Sequence, residues 1–151
     1  MTGTTLRVSR VIRAPREVVY RAFLDADAFA RWYPPHGLVG RVHAMDARTG
    51  GRYRMSIATL DRSWSLAFGG VYEELAPFER IVLTNVPDTD DPELRGAMRI
   101  TVAFASVEGG TRVDVLHEGI PPGGARGAPE GWRQSLENLA RLAEASVASA
   151  E

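Results

Sequence analysis

The stretch from Gly127 to Ala148 begins Gly127-Ala128-Pro129-Glu130-Gly131-Trp132-Arg133-Gln134-Ser135-Leu136-Glu137-Asn138-Leu139-Ala140-Arg141-Leu142-Ala143-Glu144-Ala145, and its reading decides the fold. Pro129 suits a first helical position, where a missing N–H costs nothing, and Glu130 suits a first turn because a helix N-terminus is positive. Trp132, Leu136, Leu139 and Ala143 recur at helical spacing and share one apolar face. Arg133, Glu137 and Arg141 stand four apart on another face, where opposite charges support one another weakly. No other stretch predicts a long amphipathic helix. Most of the remainder reads as strands, and an alternating sheet must bury its apolar face against something. This helix is the predicted partner, and function is expected in the gap between the two.

Working outward, Thr4 to Arg13 reads as a first strand with an irregularity at Arg10. Ala14-Pro15-Arg16-Glu17 signals a helix start with Pro15 at the first position, and Val18, Val19, Ala22 and Phe23 form its apolar side. Asp25 can cap a second short helix with Ala28, Phe29 and Trp32 inward, which Pro34 and Pro35 end. Leu38–Met45 and Arg52–Thr59 read as a hairpin around Thr49-Gly50-Gly51, with Tyr53, Met55 and Ile57 on one face. Ser63–Leu75 follows as a strand, with Trp64, Leu66, Phe68 and Tyr72 on one face and a bulge or bend expected at Gly69-Gly70.

Arg80–Val86 is the next strand, and the acidic stretch Pro87–Glu93 should be an exposed loop. Gly96–Val107 alternates, with Met98, Ile100, Val102 and Phe104 together, and turns at Glu108-Gly109-Gly110 into Thr111–Glu118. There Val113, Val115 and His117 share a face. Gly119–Gly127 is a glycine- and proline-rich link into the long helix. Short connections favour antiparallel neighbours, and a curved antiparallel sheet around one helix satisfies both periodicities.

Composition narrows the function classes. A chain of 151 residues favours one domain with one core, spanning residues 1–151. The net charge of −1 supplies no global field for nucleic acid or an anionic membrane. With no cysteine there are no disulfides, thiolate metal ligands or thiol nucleophiles. All 18 basic residues are arginine, so no lysine can form a Schiff base. Without an apolar leader or a run long enough to span a bilayer, the chain reads as cytoplasmic.

Several pieces together resemble a known family. They are Ile12-Arg13-Ala14-Pro15 with the helix after it, Ala30-Arg31-Trp32-Tyr33-Pro34, Asp46-Ala47-Arg48-Thr49-Gly50-Gly51, and the run Gly70-Val71-Tyr72-Glu73-Glu74-Leu75-Ala76-Pro77-Phe78-Glu79-Arg80-Ile81-Val82. Gly110-Thr111-Arg112-Val113 and Gly131-Trp132 complete the set. In order and spacing the chain resembles the bacterial relatives of the Hsp90 ATPase activator's C-terminal domain, the AHSA1-type family of the SRPBCC, or START/Bet v 1-like, superfamily. The resemblance implies an α+β helix-grip fold: a curved seven-stranded antiparallel sheet around a long C-terminal helix, with two short helices after the first strand. Function transfers poorly within that superfamily, which includes lipid carriers, hormone receptors and polyketide cyclases. The resemblance therefore assigns no catalytic residue.

The residues offer little reactive chemistry. His36, His43 and His117 are far apart in sequence, so no metal site is expected. His117 should point at the helix, where a lone histidine is more often a hydrogen-bonded core residue than a ligand or catalyst. Asp88, Asp90, Asp91 and Glu93 lack the ligand spacing of a calcium loop. The glycine pairs do not sit in a nucleotide-binding pattern, and Ser135 has no nucleophile-elbow motif.

The expected site is instead a cavity between sheet and helix, lined by Trp32, Tyr53, Met55, Ile57, Trp64, Phe68, Met98, Ile100, Phe104, His117, Trp132 and Leu136. Such a lining suits a small hydrophobic or amphipathic ligand, with no metal, no cofactor, no nucleic acid and no membrane involved. The rival from the enzyme class is a cofactor-free cyclase or hydrolase using His117 or Tyr53 as acid or base. The rival from the interaction class is a chaperone-associated partner working through its outer surface. Assembly as a homodimer stays open.

Overall fold

A computed structural model describes residues 2–150. The sequence places strand signals where strands form: β1 (Thr4–Ile12), β2 (Leu38–Met45), β3 (Arg52–Thr59), β4 (Ser65–Ala76), β5 (Arg80–Pro87), β6 (Met98–Val107) and β7 (Gly110–Ile120). They make one antiparallel sheet in the order β1-β7-β6-β5-β4-β3-β2. Five successive strand pairs are hairpin neighbours, and the one long-range pairing brings β1 back against β7. Helices α1 (Arg16–Leu24) and α2 (Ala26–Trp32) lie between β1 and β2. A short α3 (Pro122–Ala125) leads into α4 (Ala128–Ala150).

The inner face of the curved sheet wraps α4. Leu136, Leu139, Ala140 and Ala143 of α4 are buried, as are Ile12, Met55, Ile81, Val102 and Val113 of the strands. The first two helices close the core from the side. Asp25 caps α2 by accepting from the Ala28 N–H at 3.0 Å, and Ala28, Phe29 and Trp32 turn inward. Trp32 is fully buried, its indole N–H donating to the Ala22 carbonyl at 2.8 Å, which ties α2 to α1. At Gly40 of β2, α2 comes so near that an added Cβ would lie 2.9 Å from the Ala30 carbonyl oxygen.

The strands approach one another closely at the glycine pair of β4. Gly70 pairs with Tyr53 of β3, and a Cβ on Gly70 would stand 2.1 Å from the Thr84 carbonyl oxygen of β5. Only a residue without a side chain permits that approach. Thr84 then accepts the Val71 N–H on its hydroxyl, at 2.9 Å, and the Tyr53 hydroxyl on its carbonyl, at 2.8 Å. The register slip falls between Tyr72 and Glu74, so the two glycines permit the bend while the bulge lies beyond them.

Other local expectations shift as well. In β1 the irregularity lies between Thr4 and Leu6, and pairing with β7 is continuous through Arg10. Pro15 is the residue before α1 rather than its first helical residue. The link after β7 contains α3, because Pro121 and Pro122 start a turn that the glycines after them do not prolong. Strand β4 begins at Ser65, after a turn in which Asp61 accepts from the N–H and hydroxyl of Ser63 and Arg62 adopts a left-handed conformation. Among the described residues no helix is long and apolar enough to cross a membrane.

If α4 is the partner of the sheet, Leu139→Ala should destabilise the protein by about 2–5 kcal/mol, because the site is buried and cannot fully collapse. Leu60→Ser, at a turn residue 77% exposed, should stay within about 0.5 kcal/mol of the parent. Urea unfolding midpoints measure both, and an unchanged midpoint for Leu139→Ala would contradict the packing described.

Candidate functional site

Among the described residues, one hydrogen bond between side chains joins the helix and the sheet. Alternation along β7 turns Val113, Val115 and His117 to the inner face, and the apolar stripe of α4 brings Trp132 over it. The Trp132 indole N–H donates to His117 Nδ1 at 2.9 Å. An indole nitrogen can only donate, so Nδ1 is the unprotonated nitrogen of a neutral ring and Nε2 carries the hydrogen. Nε2 lies 3.2 Å from the Met98 thioether sulfur on neighbouring β6. Burial pushes the His117 pKa down to about 4, which keeps the ring uncharged at neutral pH.

A second joint fixes the end of α2. Ser135 donates to the Tyr33 carbonyl at 2.6 Å, and the Asn138 amide donates to the Trp32 and Pro34 carbonyls at 3.3 and 3.1 Å. The Gln134 side chain accepts the His36 N–H at 3.0 Å. Pro34 and Pro35 stop α2, so these carbonyls have no helical continuation to bond with, and α4 supplies the donors. Tyr33 is thereby held in the gap. Its ring stacks on Phe29 at 4.7 Å, meets Trp132 edge-on at 5.7 Å and lies 5.9 Å from Phe68. Burial pushes its pKa up to about 12, against the opposing effect of a hydrogen bond from the Asn85 side chain.

These contacts divide the helix–sheet gap. Its middle is nearly filled: only about 10 Å³ remains between Tyr33, Tyr53, Phe68, Leu83, Ile100 and Trp132. At the end nearer the start of α4 a cavity of about 220 Å³ stays open. Tyr33, Phe68 and Trp132 line both spaces and form the partition between them. The walls of the larger space are almost wholly apolar, and the polar groups on them are His117, Asn85, Ser135 and the Tyr33 hydroxyl.

Of the residues expected to line the cavity, Ile57, Phe68, Met98, His117 and Trp132 do so. Tyr53 and Ile100 lie under the partition. Trp32, Met55, Phe104 and Leu136 are buried in the core away from either space, Phe104 packing edge-on against Tyr20 and Phe23. Trp64 is corrected: it is 42% exposed in the turn before β4, where the strand alternation that would have turned it inward has not begun.

The sequence reading missed Tyr33, Leu66, Asn85 and Leu94 as lining residues. Asn85 was accessible to it, since Ile81, Leu83 and Asn85 alternate onto the inner face of β5. Tyr33 carried no periodic signal, being the residue at which α2 stops.

A larger groove of about 680 Å³ runs on the outer side between α1, α2 and α4, with Arg21, Arg31 and Arg141 on its rim; it is shallow and encloses nothing. Among the described residues no three His, Asp or Glu side chains gather as a metal site. His43 Nε2 is bonded to the Ser56 hydroxyl at 2.8 Å, and His36 Nε2 lies 3.8 Å from Glu137.

The family model described as Activator of Hsp90 ATPase homolog 1-like protein matches residues 13–144. Among solved structures, a protein from Chromobacterium violaceum is 42% identical, with a TM-score of 0.86 over 94% of this chain and 99% of that one. An AHSA1-like protein from Aeromonas hydrophila is 25% identical, with a TM-score of 0.76 over 95% of this chain and 94% of that one. A protein from Nitrosomonas europaea, 19% identical with a TM-score of 0.77 over 95% and 96%, shares the fold. No curated protein matches the chain.

The buried neutral histidine makes a pH prediction. The folded pKa is about 4 against an ordinary 6.5, so the unfolded chain binds the proton first as pH falls. Stability linked to His117 is therefore complete above pH 6.5 and is lost as pH drops toward 4, by about 3 kcal/mol. His117→Gln removes the titrating group. The stability advantage of the parent over this variant should shrink by that amount between pH 7 and pH 4 in urea unfolding; a constant difference would contradict the assignment.

Proposed function

The chain belongs to the family of Activator of Hsp90 ATPase homolog 1-like proteins, and from that premise we propose that it binds one small, uncharged, mainly apolar ligand in the cavity at the start of α4. The observation that carries this reading is the open space of about 220 Å³ beside a core that is otherwise closely filled. Protein interiors pack to crystal density, so a space of this size stands out against the rest of the core. An apolar cavity of about 150 Å³ is enough for benzene, which makes a single ring with a short substituent the natural occupant here. Burial of its surface supplies roughly 25 cal/mol per Å² before the costs of association are subtracted.

The polar groups support binding over turnover. Tyr53 donates its hydroxyl to the Thr84 carbonyl at 2.8 Å, and burial raises its pKa well above the ordinary value. His117 has its one lone pair engaged by Trp132. A general base needs a basic lone pair within reach of the substrate proton; the one on His117 is taken by Trp132, and Tyr53, held as the neutral phenol, is too weakly basic to serve. The lining includes no arginine or carboxylate, so a charged ligand would be buried without a partner.

Ethylbenzene tests the reading. In a titration followed by NMR, the Trp132 indole N–H and the Met98 methyl signals should move saturably to a one-to-one end point. Ile57→Trp, at a half-buried lining position, should abolish the shifts while the protein stays folded. An absence of saturable shifts in the parent protein, with ethylbenzene and with its ketone analogue acetophenone alike, would overturn the proposal.

A further inference from the structure

The cavity's polar wall is asymmetric. Ser135 already donates to the Tyr33 carbonyl, and the Asn85 side chain sits beside Tyr33, whose pKa it lowers. The N–H at His117 Nε2 is different: its partner at 3.2 Å is a thioether sulfur, a weak acceptor on an unbranched, adaptable side chain. In a free neutral imidazole either nitrogen can carry the hydrogen. Here the choice is made by Trp132, whose indole nitrogen has a hydrogen to give and no lone pair to accept with. His117, Met98 and Trp132 all line the same cavity.

We infer that the cavity selects uncharged ligands whose apolar body carries a hydrogen-bond acceptor, such as an aryl ketone or ester carbonyl, with His117 Nε2–H as the specificity-determining donor and Trp132 as the residue that positions its hydrogen. This rests on the ligand-binding reading above and adds the ligand's chemical class. The incoming carbonyl takes the N–H from the Met98 sulfur, and the flexible thioether moves aside. A buried donor that gains a good acceptor prefers the ligand that supplies one over an isostere that does not. The same geometry disfavours ligands whose only polar group is a donor, since they would meet the N–H head-on.

Acetophenone and ethylbenzene, near-isosteric and differing in the carbonyl, form the test pair. Dissociation constants are measured for both with the parent, His117→Leu, His117→Gln and Trp132→Phe proteins. Comparing proteins at fixed ligands cancels the ligands' different hydration. The parent should favour acetophenone over ethylbenzene by about 2–10-fold more than His117→Leu does, the range expected for one net hydrogen bond. His117→Gln should keep the preference, because its amide can accept from Trp132 on oxygen while donating into the cavity from nitrogen. In Trp132→Phe the hydrogen is free to move to Nδ1, so the preference should fall.

Nitrogen-15 NMR of labelled His117 reads the tautomer directly and needs no variant: the parent should show the hydrogen on Nε2. Equal preference in parent and His117→Leu, with both ligands bound, would overturn this inference and leave the ligand-binding proposal standing. Hydrogen on Nδ1 in the parent would overturn the role given to Trp132. Binding of neither ligand would overturn the ligand-binding proposal itself, and this inference with it.

Discussion

Trp132 donates its indole hydrogen to His117 across the joint between α4 and β7, and the arrangement of the site follows from that bond. A tryptophan brought into a core must find an acceptor for its N–H, since an unmet buried donor costs about 1–3 kcal/mol. A histidine brought into a core must stay neutral, since burial disfavours its charge. Each residue meets the other's requirement. The bond fixes the rotation of α4 over the sheet, and among the described residues no buried side-chain polar atom lacks a partner. With that rotation set, Ser135 and Asn138 of α4 fall beside the carbonyls that the Pro34-Pro35 break leaves without helical donors.

Placement of Tyr33 is the consequence that matters for function. Its ring fills the middle of the gap between α4 and the sheet, leaving open space at one end only. The sheet contributes through its bend: Gly70 allows β5 to approach, and Tyr53 reaches Thr84 beneath the partition. A helix-grip frame need not be hollow throughout. Here aromatic rings occupy the region where Tyr53 and Ile100 were expected to face a ligand, and the open volume lies beyond them.

The sequence showed the frame because two periodicities dominate it. Alternation in β6 and β7 and the helical recurrence of Trp132, Leu136, Leu139 and Ala143 bring together the two faces that pack. His117 and Trp132 were legible for the same reason, as inward residues on elements bound to meet. Alternation says which face a side chain takes, though, and cannot say where the strand ends or how much of the gap its neighbours fill. Trp64 continues the β4 pattern in sequence but stands in the preceding turn, set by Asp61, Ser63 and Arg62. Tyr33 sits at a helix stop where neither period applies, and its position depends on α4, about a hundred residues later in the chain.

The account depends most on one claim: the gap is filled in the middle and open at the α4-start end. A crystal structure of the protein under xenon pressure tests it directly, because xenon enters apolar cavities without needing a polar partner. Xenon density bounded by Tyr33, Met98 and Trp132, with none between Tyr53 and Ile100, is the predicted result. Density in the middle of the gap, or a closed end cavity holding none, would contradict the account.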